Sequence, residues 1–251
     1  MSAEDSNDPG TAGFADGERY QSSRPDYPAD AVLFMVEALG IEPDCHVIDL
    51  GAGTGIFTEQ LLSFGPRVTA VEPASGMREV FTRRLPGVTV LDGSDANIPV
   101  ESGSVDCVVA AQSFHWFDAP VALEEIHRVL VEGGRLGLVW NERDESVPWV
   151  AELSRAMRWD VLQPYEVGRD FTEVVAAGPF LNVERRTFTH RQVLDHERLR
   201  QQVLSTSYIA VMDDTEQFAL MDRVASVLTS LPDPVTMPYV TTVYRATAML
   251  R

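Results

Sequence analysis

A chain of 251 residues, 45% of them hydrophobic, has enough apolar surface to bury one α/β core with at most a modest second lobe. Its 38 acidic against 20 basic residues give a formal charge of −18, a field that repels phosphate backbones and anionic lipid headgroups and so excludes nucleic acid and membrane surfaces as default partners. Two cysteines, Cys45 and Cys107, are too few for a disulfide framework and read as reduced thiols of a cytoplasmic protein.

The first residues are acidic and polar, without the basic flank and apolar run of a secretory signal. No apolar stretch is long enough to span a bilayer. Ala29 to Leu39 sets Val32, Met35, Val36 and Leu39 on one face and predicts an entry helix. From Val47 to Trp140 β-rich runs alternate with helical patterns, as in βαβ units feeding a parallel sheet. The predicted strands are Val47–Leu50, Arg67–Glu72, Val88–Leu91, Val105–Ala110 and Leu136–Trp140. Before the last of them, Pro120 to Leu130 carries Leu123, Ile126 and Leu130 at helical spacing, stopped by Glu132-Gly133-Gly134.

Beyond Trp140 the pattern predicts three helices, Trp149–Trp159, Glu197–Tyr208 and Glu216–Leu231, with Phe218, Met221, Val224 and Leu228 sharing a face of the last. Val183–Thr189 and Tyr239–Thr247 are β-rich and predict two further strands. The first two helices read as a cap over the sheet.

The strongest motif is Val47-Ile48-Asp49-Leu50-Gly51-Ala52-Gly53-Thr54-Gly55, directly after a strand and opening a helix. Glycines there allow a tight turn and close approach of a ligand to the backbone. The spacing is G-x-G-x-G, with Ile56 where the dinucleotide fingerprint has its third glycine. Asp49 would oppose a pyrophosphate at this helix N-terminus but suits a ligand carrying an ammonium and a sulfonium. Glu72 ends the second strand, about 20 residues on, where a carboxylate can accept both ribose hydroxyls. Together these residues favour S-adenosylmethionine over NAD or ATP.

With these motifs the chain resembles class I methyltransferases of the ubiquinone/menaquinone-biosynthesis and trans-aconitate methyltransferase type, from about Phe14 to Ala246. Gly93-Ser-Asp-Ala-Asn-Ile-Pro99 resembles their adenine-contacting turn, Ser104-Val-Asp106 through Gln112 their fourth strand, and Leu130 to Leu136 the turn into the fifth. The resemblance implies a Rossmann-like α/β fold: a seven-stranded, mostly parallel sheet with an antiparallel last strand, helices on both faces and a helical cap. Many relatives carry an acid immediately after the glycine of the adenine turn; here Ser94 stands there and Asp95 follows. The implied cofactor site comprises Tyr20, Arg24, Asp49, Gly51, Gly53, Thr54, Glu72, Pro73, Met77, Ser94, Asp95, Ala96 and Gln112.

Gln112-Ser-Phe-His-Trp-Phe-Asp118 follows the fourth strand at the edge where open α/β sheets bind ligands. Its His-Trp-Phe-Asp stretch is similar to that of the trans-aconitate group. Phe114, Trp116 and Phe117 read partly as core cover, Asp118 as a helix cap, and His115 as a base pointing into the cleft. The Arg24-Pro-Asp-Tyr-Pro28 element, also similar to that group, implies a strap over the cofactor, with Arg24 or Tyr20 reaching the methionyl carboxylate. Asn141 and Arg143 follow the fifth strand, Arg143 being the cation suited to an anionic substrate. Ser205-Thr-Ser-Tyr208 resembles a cap motif of the relatives, with Ser207 and Tyr208 facing substrate. The expected substrate site is thus Phe114, His115, Trp116, Asn141, Arg143, Ser207 and Tyr208, with His115 catalytic. Histidine and cysteine spacing predicts no metal.

The expected division is residues 1–28 as flexible segment and strap, 29–145 as cofactor-binding core, 146–212 as cap with one sheet strand, and 213–251 as final helix and last strand. The expected activity is methyl transfer from S-adenosylmethionine to a small molecule, leaving S-adenosylhomocysteine, by a monomer or homodimer. The rival is a protein of the same fold that binds the cofactor for regulation or for a reaction such as cyclisation.

Overall fold

The computed structural model describes residues 24–158 and 170–251. Ala29–Leu39 (α1) leads into His46–Leu50 (β1), Ile56–Leu62 (α2), Arg67–Val71 (β2), Ser75–Arg84 (α3) and Thr89–Leu91 (β3). Val105–Ala111 (β4), Ala119–Val129 (α4) and Leu130–Arg143 (β5) complete the alternating part. The rest comprises Pro148–Ala156 (α5), Thr172–Ala176 (α6), Phe180–Leu194 (β6), His196–Leu204 (α7), Ser207–Ala210 (α8), Asp214–Leu228 (α9) and Val235–Ala248 (β7).

The strands form one seven-stranded sheet in the order β3-β2-β1-β4-β5-β7-β6. β1 runs parallel to β2 and β4, β2 to β3 and β4 to β5, whereas β7 is antiparallel to both β5 and β6. This is the Rossmann-like sheet with an antiparallel last strand that the resemblance implied. Period-two alternation builds it, because side chains on successive strand residues leave by opposite faces. Val47, Val109, Val139 and Val243 pack on the face covered by α1 and α2. Their strand neighbours Ile48, Val108, Leu138 and Tyr244 pack on the face covered by α4 and α6. Strand order reverses between β1 and β4, so the loops leaving their carboxyl ends diverge and open a crevice there.

A third cluster forms the cap. Val150 and Leu153 of α5, Leu199 and Val203 of α7, Ile209 of α8 and Leu220 and Val224 of α9 close over Leu194, Val235, Met237 and Tyr239. Those four lie at the end of β6 and the start of β7, which run well past the predicted Val183–Thr189 and Tyr239–Thr247. The helix Asp214–Leu228 packs in this cluster against the start of the last strand. On its expected face Val224 and Leu228 are buried and Met221 packs against the cluster, whereas Phe218 is 77% exposed.

Two more differences are local. The predicted helix Glu197–Tyr208 is broken into α7 and α8, because the hydroxyls of Ser205 and Thr206 both donate back to the Gln202 carbonyl and compete with the helical ladder. The glycines expected to stop the fourth helix instead lie inside β5, where its register against β4 shifts between Val105 and Cys107. Trp159, Phe14 and Tyr20 fall outside the described residues.

Candidate active site

The crevice begins at the glycine loop. The amides of Gly51 and Ala52 both donate to the carbonyl of Val71 at the end of β2, which curls the loop over the strand ends. Gly51 has φ +70°, and a Cβ there would meet Ser113 Cβ at 2.6 Å, so this glycine is required by packing. Gly53 has φ +57°, and a Cβ there would meet nothing within 4 Å. One glycine lets the protein close on itself; the other leaves room beside the backbone.

Glu72 is 7% exposed and clamps that space. One carboxylate oxygen accepts from the Gly53 amide and the other from the Ala74 amide, each at 2.9 Å. Burial raises its pKa, and the two amides oppose the rise. Each oxygen keeps further acceptor capacity, as a ribose diol requires. Arg78 supports this corner: its guanidinium donates to the carbonyls of Glu72 and Pro73 and pairs with Asp92 at 3.1 Å. Reading the sequence missed Arg78; its place one turn into α3, six residues after Glu72, was the available signal.

Asp49 is fully buried beneath the loop. Its Oδ2 accepts from the Thr58 hydroxyl of α2, while Oδ1 is buried without a hydrogen-bond partner. Burial pushes the carboxyl up to about 7, Thr58 opposing and the Glu72 charge adding to the rise. A buried carboxylate with an open valence favours a cationic group nearby. The open face at Gly53, the Glu72 clamp and the Asp49 valence therefore fit S-adenosylmethionine.

At the turn after β3, the Ser94 and Asn97 backbones exchange two hydrogen bonds. One oxygen of Asp95 accepts from the Asp118 amide at 3.0 Å. This corrects the capping assignment: Asp118 stands at the N-cap of α4 but its side chain makes no capping bond, and Asp95 takes an amide there instead. Met77 is 2% exposed and packed in the first turn of α3, and Thr54 is 1% exposed. Pro73 and Ala96 are at the surface.

On the β4 side, Gln112 adopts φ +54° and its side-chain amide donates to the carbonyl of Asn141. Ser113, also missed in the sequence, donates to the carbonyl of Leu50 and ties β4 to the glycine loop. Phe114 is 1% exposed, packed edge-on against Phe117 and Phe171, whereas Trp116 is 43% exposed. His115 is half-buried between them, its Nδ1 facing the indole N–H of Trp140 at 3.1 Å.

Asn141 was expected to touch substrate, but its side chain is used structurally. Its Nδ2 donates to the Asp26 carbonyl at 3.2 Å, and its Oδ1 accepts from the Thr241 hydroxyl. Gln60 exchanges hydrogen bonds with the backbone N–H and carbonyl of Tyr27, so residues 26–27 are pinned to both β5 and α2. Arg24 donates to the carbonyl of Ser205 at 3.4 Å, joining strap to cap. The Tyr208 hydroxyl donates to the Met157 carbonyl within the cap, and Ser207 is buried. Arg143, at the end of β5, has a buried Nε. Burial lowers its pKa, the nearby hydroxyls of Tyr239 and Tyr208 and the Glu145 carboxylate favour its charge, and Arg24 opposes it. Among the described residues no cluster of histidine, cysteine or carboxylate could hold a metal. No described helix is long and apolar enough to cross a membrane.

Residues 48–138 match a family profile described as a methyltransferase domain. The chain is 36% identical over 237 residues to an uncharacterised methyltransferase of Mycobacterium bovis, spanning 91% of this chain and 92% of that one. It is 33% identical over 214 residues to a methyltransferase-like protein of Schizosaccharomyces pombe, covering 83% and 84% of the two chains. Among solved structures the YcgJ protein of Bacillus subtilis superposes with a TM-score of 0.60 at 15% identity, over 89% of this chain and 100% of that one. A Haemonchus contortus phosphoethanolamine N-methyltransferase, in complex with phosphomonomethylethanolamine and S-adenosylhomocysteine, superposes with a TM-score of 0.59 at 16% identity, over 96% of this chain and 57% of that one.

Proposed function

The chain belongs to the methyltransferase family and is an S-adenosylmethionine-dependent enzyme, and from that premise we propose that it methylates the carboxylate of a small anionic acceptor. When bound, the cofactor supplies an electrophilic methyl group on a sulfonium centre. Glu72 would accept the ribose hydroxyls, Asp49 would face the cationic end, and Ser94 or Asp95 with Met77 would hold adenine. The remaining task of the protein is to place the nucleophile in line and keep water out under the cap, where proximity gains are large.

The observation that carries the acceptor class is Arg143. Its guanidinium is desolvated beside the phenols of Tyr239 and Tyr208 and feels the repulsion of Arg24. An anion bound there would offset both costs. Arg143 and Arg24 are thus two neighbouring cations within a chain of charge −18. The stretch from His115 to Asp118 and the cap residues Ser205 to Tyr208 support placement with the trans-aconitate type.

A mass-shift screen of small acids, phenols and amines with methyl-labelled cofactor tests this. Acids are expected to gain the label as methyl esters cleaved by mild alkali. Arg143→Gln is expected to raise KM for the acid by about tenfold or more, with cofactor affinity changed less than about threefold. Labelled phenols or amines with no labelled acid would overturn the assignment.

A further inference from the structure

We propose that His115 serves the transfer as a hydrogen-bond donor, held in one tautomer by the positioning residue Trp140, and not as a base. The inference rests on the acceptor assignment above and adds to it what the ring beside the acceptor does.

The indole N–H of Trp140 lies 3.1 Å from Nδ1 of His115. An indole nitrogen only donates, so Nδ1 accepts, and the neutral imidazole carries its proton on Nε2. The other tautomer would set two N–H groups against each other and leave a buried indole donor unsatisfied, which disfavours it by about tenfold or more. Trp140 is held against turning away. Its ring lies parallel to Phe171 at 4.4 Å with an interplanar angle of 6°, meets Tyr244 edge-on at 5.7 Å, and is 8% exposed.

A ring arranged this way has its lone pair turned toward tryptophan and a donor at Nε2. It has no basic nitrogen directed at an acceptor, and a carboxylate acceptor needs none. A lone pair of one carboxylate oxygen forms the O–CH3 bond while the methyl–sulfur bond breaks and its electron pair stays on sulfur. No proton is released. The Nε2–H is suited to the non-reacting oxygen, which turns the reacting one toward the methyl group. The sequence suggested a base because histidine at a strand end is the usual candidate; the tryptophan 25 residues away reverses the polarity of the ring.

The tautomer is read directly by 15N NMR of the full-length protein with labelled histidine and no ligand, the His115 signals being assigned by their loss in His115→Gln. Protonated Nε2 and unprotonated Nδ1 are expected. In Trp140→Phe, which keeps a ring against Phe171, the proton should distribute over both nitrogens. In turnover, His115→Gln, whose amide N–H replaces Nε2–H, is expected to remain within about tenfold of the parent, and His115→Asn, which is too short, to fall about tenfold or more below the glutamine variant. A native ring protonated on Nδ1, or a glutamine variant no faster than asparagine, would overturn the proposal. A screen that labels only amines would overturn the acceptor assignment instead, and the ligand-free NMR measurement would still decide the tautomer.

Discussion

The hydroxyl of Thr58 donates to Oδ2 of Asp49 at 2.5 Å in a fully buried pair beneath the glycine loop. The bond satisfies one carboxylate oxygen and leaves the other without a partner. With burial as the main cause, the carboxyl is pushed from its ordinary 3.8 to about 7. A cation bound nearby would offset this rise.

The folded state retains on Asp49 a proton that the unfolded state has already released between those two values. Stability from this group is full below the unfolded pKa and is lost as pH rises through the folded one. Asp49→Asn removes the dependence. Denaturant titrations should show the variant gaining on the parent by about 1–3 kcal/mol between about pH 5 and pH 8. Calorimetry should show the same variant binding S-adenosylhomocysteine about tenfold more weakly or worse. Parallel pH–stability curves for the two proteins would mean that Asp49 is ionised in the folded state throughout.

Removing the clamp at the end of β2 leaves the Gly53 and Ala74 amides without their acceptors. Glu72→Ala should weaken cofactor binding by about 1–3 kcal/mol, the range for charge-assisted hydrogen bonds. The measurement is a calorimetric titration, and an unchanged affinity would remove Glu72 from the ribose.

The two glycines of the loop should fail differently. Gly51→Ala forces a Cβ against Ser113 and should cost about 2 kcal/mol or more of folding stability. Gly53→Ala meets open space; it should cost about 1 kcal/mol, from its left-handed backbone, and lower cofactor affinity by about tenfold. Thermal melts paired with binding titrations separate the cases. The reverse pattern would place the ligand elsewhere.

Asn141→Ala breaks bonds to the strap at Asp26 and to Thr241 in β7. An expected loss of about 1–3 kcal/mol should appear as faster hydrogen exchange at the amides of Asp26 and Tyr27, with the sheet still protected. Exchange unchanged at those amides would show that Gln60 alone holds the strap.

The sequence by itself determined the alternating core and its cofactor end. Period-two runs flanked by glycine placed β1, β2 and β4 within a residue or two, and the loop from Asp49 to Gly55 with Glu72 on the next strand is a local signature, because adjacent parallel strands bring their carboxyl ends together whatever covers them. Only the tertiary structure decided what Asn141, His115, Phe218 and Tyr208 do. Asn141 looks like a cleft residue until register sets it beside Thr241, and the Nδ1 of His115 gains its donor only when β5 delivers the indole of Trp140 to it. Phe218 continues a helical stripe that the cap leaves in water, and Tyr208 turns its hydroxyl to the Met157 carbonyl at the end of α5. Hydrogen-bond partners of this kind lie far apart in the chain, so the polarity of a donor or the covered face of a helix follows from packing between elements, which periodicity along one element does not encode.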